Sequence, residues 1–121
     1  MATITDSKHS FYVVNDTTDD VTLTLLFGDI GVTVNSTILL DGTVLLNQKG
    51  NLTNYSIGKN ADLAGKILSI YSMISATSGA TYTEAKLYLN GGVIPEQYPP
   101  FHDNANPNDN AIYHYVIKLT N

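Results

Sequence analysis

Several residue types that build specialised sites are missing or scarce in this chain of 121 residues. It contains no cysteine, so neither a disulfide framework nor a thiolate zinc site can form. It contains no arginine, which is the preferred partner of phosphate and guanine, and its net charge is −5, so we expect no nucleic-acid partner. Only Glu84 and Glu96 are glutamates, and nucleophile elbows, zinc-protease helices and phosphate loops are absent. The sequence therefore predicts a protein that is not an enzyme and has no catalytic residues.

Long hydrophobic runs are also missing. The longest apolar blocks, such as Thr24–Phe27 and Ile38–Leu40, fall far short of the roughly 20 residues that a membrane-spanning helix needs. The opening residues lack the basic and apolar regions of a secretory signal. We expect no membrane insertion and synthesis in the cytoplasm, with export by a route that cleaves no signal as the open alternative.

What the chain does have is a series of short β-type runs, each ended by a turn signal. In Val21–Phe27 apolar and threonine side chains alternate, which is the period-2 pattern of a half-buried strand. The Asp41-Gly42 pair accepts the positive φ angles of a tight hairpin turn. Residues 28–31 and 47–50 are also predicted turns, and residues 60–66 form one helical turn. The predicted strands are Phe11–Val14, Val21–Phe27, Val32–Val34, Ile38–Leu40, Thr43–Leu46, Leu52–Ile57, Ile67–Ile74, Tyr82–Leu89 and Ile112–Leu119.

About seven to nine short strands at this spacing are typical of an antiparallel β-sandwich. The sequence predicts a single-domain, all-β sandwich of the jelly-roll or immunoglobulin-like type over residues 11–121. Residues 1–10 are expected to form an N-terminal tail or a first edge strand, and His9 is assigned to the tail. In the last strand, Tyr113, Tyr115, Ile117 and Leu119 are expected to face inward and His114 to face solvent.

The segment Tyr98–Asn110 is the predicted functional loop, because it reads as a long irregular stretch rich in side-chain oxygens. Oxygen ligands on a flexible loop suit calcium. A polar surface loop without metal is the alternative, since Asn, Asp and Pro are turn residues in their own right. The candidate metal ligands are Asp103, Asn108, Asp109 and Asn110.

The stretch Asn108–Ile117 leads an acidic and amide-rich loop into the last strand. Over these ten or so residues it loosely resembles the calcium loop before the final strand of small bacterial calcium-dependent lectins. This chain carries fewer carboxylates there than those lectins do, so the resemblance assigns it to no family.

Aromatic rings beside the loop suggest a carbohydrate site, in which rings stack on sugar faces and amides bind hydroxyls. The alternative is that Tyr98 and Phe101 anchor the loop to the sandwich. The three histidines, His9, His102 and His114, are expected to stay apart and solvated. The candidate ligand-binding residues are Tyr98, Phe101, His102, Asn104, Asn106 and Tyr113.

Two function classes follow from these features. The first is a non-catalytic, lectin-like module that binds carbohydrate or another small polar ligand on the 98–110 loop. The second is a structural subunit that self-associates into a larger assembly, such as a coat, a fibre or a secretion or injection apparatus, because its strands carry little charge and many threonines. A homo-oligomer is expected in both cases.

Overall fold

The chain folds into two β-sheets that pack face to face. A computed structural model describes residues 2–28, 31–77 and 79–121. The turn predicted for residues 28–31 includes Asp29 and Ile30, which lie outside the described residues. The described elements are β1 (Thr3–Val13), β2 (Asp20–Gly28), β3 (Val32–Leu40), β4 (Thr43–Lys49), β5 (Leu52–Lys59), α1 (Asn60–Leu63), β6 (Ile67–Ala76), β7 (Tyr82–Asn90), β8 (Glu96–Gln97), β9 (Phe101–Asn104) and β10 (Asn110–Thr120).

Five strands form sheet A in the order β1-β10-β6-β3-β4. Sheet B has the order β5-β2-β7-β8, and β9 also pairs with β7. All of these pairs are antiparallel except the one between β1 and β10, which is parallel. The predicted all-β sandwich is confirmed.

The core lies between the sheets and is filled by alternate side chains of each strand. In β10 the side chains of Tyr113, Tyr115, Ile117 and Leu119 are buried, as the period-2 pattern predicts. In β6 the buried side chains are the even-numbered ones from Leu68 to Ala76. Every second residue of sheet A therefore points away from the core.

The hairpin predicted at Asp41-Gly42 is confirmed. Both residues have positive φ angles, 48° and 81°, which is the backbone of a type I′ turn between β3 and β4. The short helix predicted over residues 60–66 is also present, as α1.

Several strand boundaries differ from the prediction, among them the end of β4, which runs to Lys49 into the turn predicted for residues 47–50. Of the two alternatives for residues 1–10, the first edge strand is observed: β1 begins at Thr3 rather than at Phe11 and includes His9, which had been assigned to a tail, because backbone pairing with β10 orders it although most of its side chains are exposed. Such an edge strand shows little alternation in its sequence. The strand β3 is continuous, because the inward Ser36 shares a hydrogen bond of 2.9 Å with Ser72 and so tolerates burial.

The segment Tyr98–Asn110 was predicted to be irregular, but part of it is a strand. Strand β8 precedes it and β9 lies inside it, with Phe101 opposite Ala85 and Asn104 opposite Tyr82 of β7. Prolines on both sides keep β9 short, because proline cannot donate to the ladder, and four residues are too few to show a periodic pattern.

Candidate functional site

Three of the six predicted ligand-binding residues are core residues. Tyr98, Phe101 and Tyr113 are 4%, 1% and 1% exposed. The rings of Phe101 and Tyr113 stack with centroids 4.5 Å apart, and Tyr115 packs against the same phenylalanine at 4.7 Å. These rings offer no free face for a sugar, so they act as anchors that hold the segment to the sandwich.

The hydroxyl groups of these tyrosines tie the segment to both sheets. Tyr113 donates to Oδ2 of Asp103 at 2.6 Å, and its hydroxyl lies 2.6 Å from that of Thr83. Tyr98 donates to the carbonyl of Phe11 at 2.9 Å. Burial raises the pKa of both phenols far above the ordinary value, so both hydroxyls stay protonated and available as donors.

The other three predicted ligand residues lie elsewhere. His102 and Asn104 point outward from β9, and the imidazole stacks on Tyr82 with ring centroids 4.9 Å apart. Asn106 lies in the following turn, where its backbone N–H donates to Asp109. The structure does not bring the six residues together in one pocket.

The predicted metal ligands are largely engaged with protein groups. The two carboxylate oxygens of Asp109 accept the backbone N–H groups of Ala2 and Asn106, each at 2.9 Å. These bonds, with Asn106 the stronger influence, lower the pKa of Asp109. Asn108 occupies a turn position with a φ of 73°, and Asn110 begins β10. Among residues 2–28, 31–77 and 79–121, no group of three or more His, Asp or Glu side chains is placed to hold a metal ion. The calcium site stays a prediction.

A small cleft opens beside the predicted loop, between the edge strand β1 and Tyr98. Its volume is about 280 Å³. Lys8 points into the gap between the sheets, where its ammonium lies 5.1 Å from the centre of the Phe101 ring. Sequence reasoning did not single out Lys8, because it left open whether residues 1–10 form a tail or an edge strand. The lining residues are Lys8, His9, Ser10, Tyr98, Pro99 and Tyr115.

The outer face of sheet A is the most unusual surface among the described residues. It is formed by the odd-numbered residues of β1, β3 and β6, the even-numbered residues of β10, and Val44, Asn47 and Lys49 of β4. We call it the sheet A face. Five of the seven large apolar side chains that are exposed in the described chain lie on it, between 44% and 61% exposed: Phe11, Val44, Ile67, Tyr71 and Met73.

The strand positions of the sheet A face also lack carboxylates, although the carboxylate of Asp41 in the β3–β4 turn accepts the backbone N–H of Ile67 at 2.8 Å. The chain has 11 acidic residues, yet no Asp or Glu occupies any of these outward positions. The remaining outward residues are mainly Thr, Ser, Asn and half-buried aliphatics such as Ile112 and Val116. The ionisable groups on the face, apart from Tyr71, are His9, Lys49, His114 and Lys118.

His114 lies in the middle of the sheet A face. It was predicted to be solvated, but its side chain is largely covered. Its ring stacks on Tyr71 with centroids 3.8 Å apart and an interplanar angle of 14°. Its Nε2 atom is buried and has no hydrogen-bond partner within residues 2–28, 31–77 and 79–121. Burial, and secondarily the charge of His9, lowers the pKa of His114. The parallel register, with Ser7 opposite His114 and His9 opposite Val116, brings two histidines together that were expected to stay apart.

Comparison of the chain with protein-family models, with curated proteins and with solved structures found no match. No helix in the described part of the chain is long and apolar enough to cross a membrane.

Proposed function

We propose that this protein is a structural subunit that self-associates through the sheet A face. The observation that carries the proposal is the concentration of exposed apolar side chains on a face without carboxylates. Exposed apolar patches rimmed by polar residues mark interaction sites in soluble proteins. On this face the exposed apolar side chains alternate with polar ones such as Ser69 and Lys118. The proposed partner is a second copy of the same chain.

The size of the face supports this partner. Five strands about 4.8 Å apart make a sheet about 24 Å wide, and nine residues of strand are about 30 Å long. The face therefore offers about 700 Å². A standard stable interface buries about 800 Å² on each partner, so one copy laid on another comes close to that size.

The charge pattern supports it as well. When two copies meet by a two-fold axis, each face contacts the same face of the other copy. In a chain with a net charge of −5, a patch with carboxylates would then meet its own carboxylates. The sheet A face avoids this repulsion, and two such sheets can pack like the two layers of a sandwich.

Met73→Glu tests the proposal, because Met73 is exposed at the middle of the face and the fold does not need its side chain. We expect the wild-type chain to sediment at micromolar concentration as a species larger than its 13.1 kDa monomer. The variant is expected to sediment as a monomer, because each copy brings a carboxylate into the contact.

Ile94→Glu is the matched control, since Ile94 is 56% exposed but lies outside sheet A. It should associate like the wild type. A monomeric wild type, or equal loss of association in both variants, would remove the sheet A face as an interface.

A second candidate function is the binding of carbohydrate or another small polar ligand in the cleft beside Tyr98. The hydroxyls of Tyr98 and Tyr115 already donate to carbonyls, so their oxygens are left to accept hydrogen bonds from sugar hydroxyls. Lys8 supplies the one cation of the cleft apart from His9. The observation that favours this function is the concave shape of the cleft, on which several polar groups converge. Its volume of about 280 Å³ is small for a ligand pocket.

Thermal melting tests this second candidate, with glucose, galactose or glucuronate as the probe, in EDTA and then in millimolar calcium. Saturation at a hundred times the dissociation constant stabilises the fold by about 2.7 kcal/mol, a shift of several degrees. Lys8→Ala should lose the glucuronate shift, and Lys59→Ala, on β5, should keep it. No shift with any sugar would exclude the cleft, and a shift with calcium alone would support the metal site instead.

A further inference from the structure

We propose that the sheet A face is a pH-sensitive interface, in which protonation of His114, which lies beside His9, separates the subunits. This inference rests on the proposed self-association and names its regulation. It is carried by the position of the two histidines on the face and by the buried, unpartnered nitrogen of one of them.

The position of His114 makes it a central part of any contact through this face. Its strand, β10, lies between β1 and β6, so the imidazole has neighbours on both sides. One side of its ring is covered by Tyr71, which is itself exposed at its outer surface and available to a partner. A second copy laid on the face would cover the histidine and Tyr71 together.

Among the described residues that surround His114, no group is placed to neutralise a proton. From β1 the titratable group on the same face is His9, and from β6 it is Tyr71. On β10 itself it is Lys118, and on β3 there is none. Asp6 and Lys8 of β1 point to the other side of the sheet. A proton on Nε2 of His114 would therefore have no acceptor among the described residues, while His9, Lys49 and Lys118 lie on the same face.

The direction of the effect follows from linkage. Burial already lowers the pKa of His114 in the single chain, and contact with a second copy removes more water from the ring. The associated state thus holds fewer protons than the separated state, and acid favours separation. Because the pKa of His114 lies below the ordinary histidine value of about 6.5, association is expected to be constant near pH 8 and to weaken as the pH falls below about 6.5.

Sedimentation velocity from pH 8 to pH 5 tests the proposal. We expect the wild-type association constant to fall by about tenfold or more over this range, since each copy contributes its own His114. His114→Gln should associate with a much flatter pH profile, and His9→Gln should flatten the profile in part. His102→Gln is the matched control, because His102 lies outward on sheet B, and its profile should follow the wild type.

A second measurement uses only the wild-type chain, so its result does not depend on whether a variant folds. The titration of the His114 ring, followed by NMR in the wild type, should shift to lower pH as protein concentration increases, because association favours the neutral imidazole.

The outcomes separate the two proposals. Association at pH 8 that keeps its strength to pH 5, or a histidine titration independent of concentration, would overturn the pH-sensitive interface and leave self-association standing. A wild type that is monomeric at every pH would overturn both. An unchanged profile in the His9→Gln and His114→Gln double variant would assign the pH effect to other groups.

Discussion

The two outer faces of the sandwich differ far more than the two inner ones. The sheet A face carries exposed apolar side chains and no carboxylate. The outer face of sheet B carries both signs of charge, with Asp20 opposite Lys59 and Glu84 at 4.0 Å from Lys86. Within the part of the chain that the structure describes, none of its large apolar side chains is exposed.

The inner and outer faces of the two sheets are subject to different physical requirements. The inner faces must fill one common core, so both present buried aliphatic and aromatic side chains. Nothing in the fold requires the outer faces to match. Sheet B has the mixed charges of a surface that stays in water. The sheet A face lacks this mixture of charges and exposes apolar side chains instead.

The largest expected effect is on the free energy of unfolding, and it compares an inward residue of sheet B with its outward neighbour. Phe101→Ala should lower the free energy of unfolding by about 4 kcal/mol, because it removes a fully buried ring from the core. His102→Ala, at the next residue and pointing outward, should change it by less than about 0.5 kcal/mol. Urea unfolding of both variants measures the difference. If Phe101→Ala were as stable as His102→Ala, Phe101 would not be an anchor and its role as a ligand contact would return.

A smaller expected effect, on self-association, tests the missing carboxylates separately from the exposed apolar side chains. Asn35→Asp adds one carboxylate to the sheet A face without removing any apolar side chain, and Asn104→Asp makes the same change on the outer face of sheet B. We expect the first to weaken association several-fold at low salt and the second to leave it unchanged. Sedimentation at low and high salt measures both. Equal behaviour of the two variants would show that the absence of carboxylates on sheet A has no role in association.

The parts of the fold that could be predicted from sequence are those in which burial alternates. Strands β2, β7 and β10 each have one buried side and one outward side, so their period of two is visible in the sequence. The Asp41-Gly42 turn is set by local backbone preference. For residues 1–10 the sequence left a tail and a first edge strand as alternatives, because the order of β1 comes from pairing with a strand more than a hundred residues away.

The candidate sites were harder to predict for a related reason. Whether Tyr98 and Phe101 face a ligand or the core depends on where their segment packs, which the local sequence does not contain. The sheet A face did leave a signal in strand β6. There Ile67, Tyr71 and Met73 are apolar although they alternate with the buried set, so both sides of the strand are apolar. A strand that is apolar on both sides is expected to be covered on both sides.

The parallel pairing of β1 with β10 has a consequence for how the chain is made. Thr3 and its partner Asn110 are 107 positions apart, so at a synthesis rate of about 5–20 residues per second the first strand waits about 5–20 seconds for the last one. During that time β1 is without its pairing partner, and sheet A lacks both β1 and β10. On the ribosome, the β1 edge of this sandwich can therefore be completed only after β10 has been synthesised.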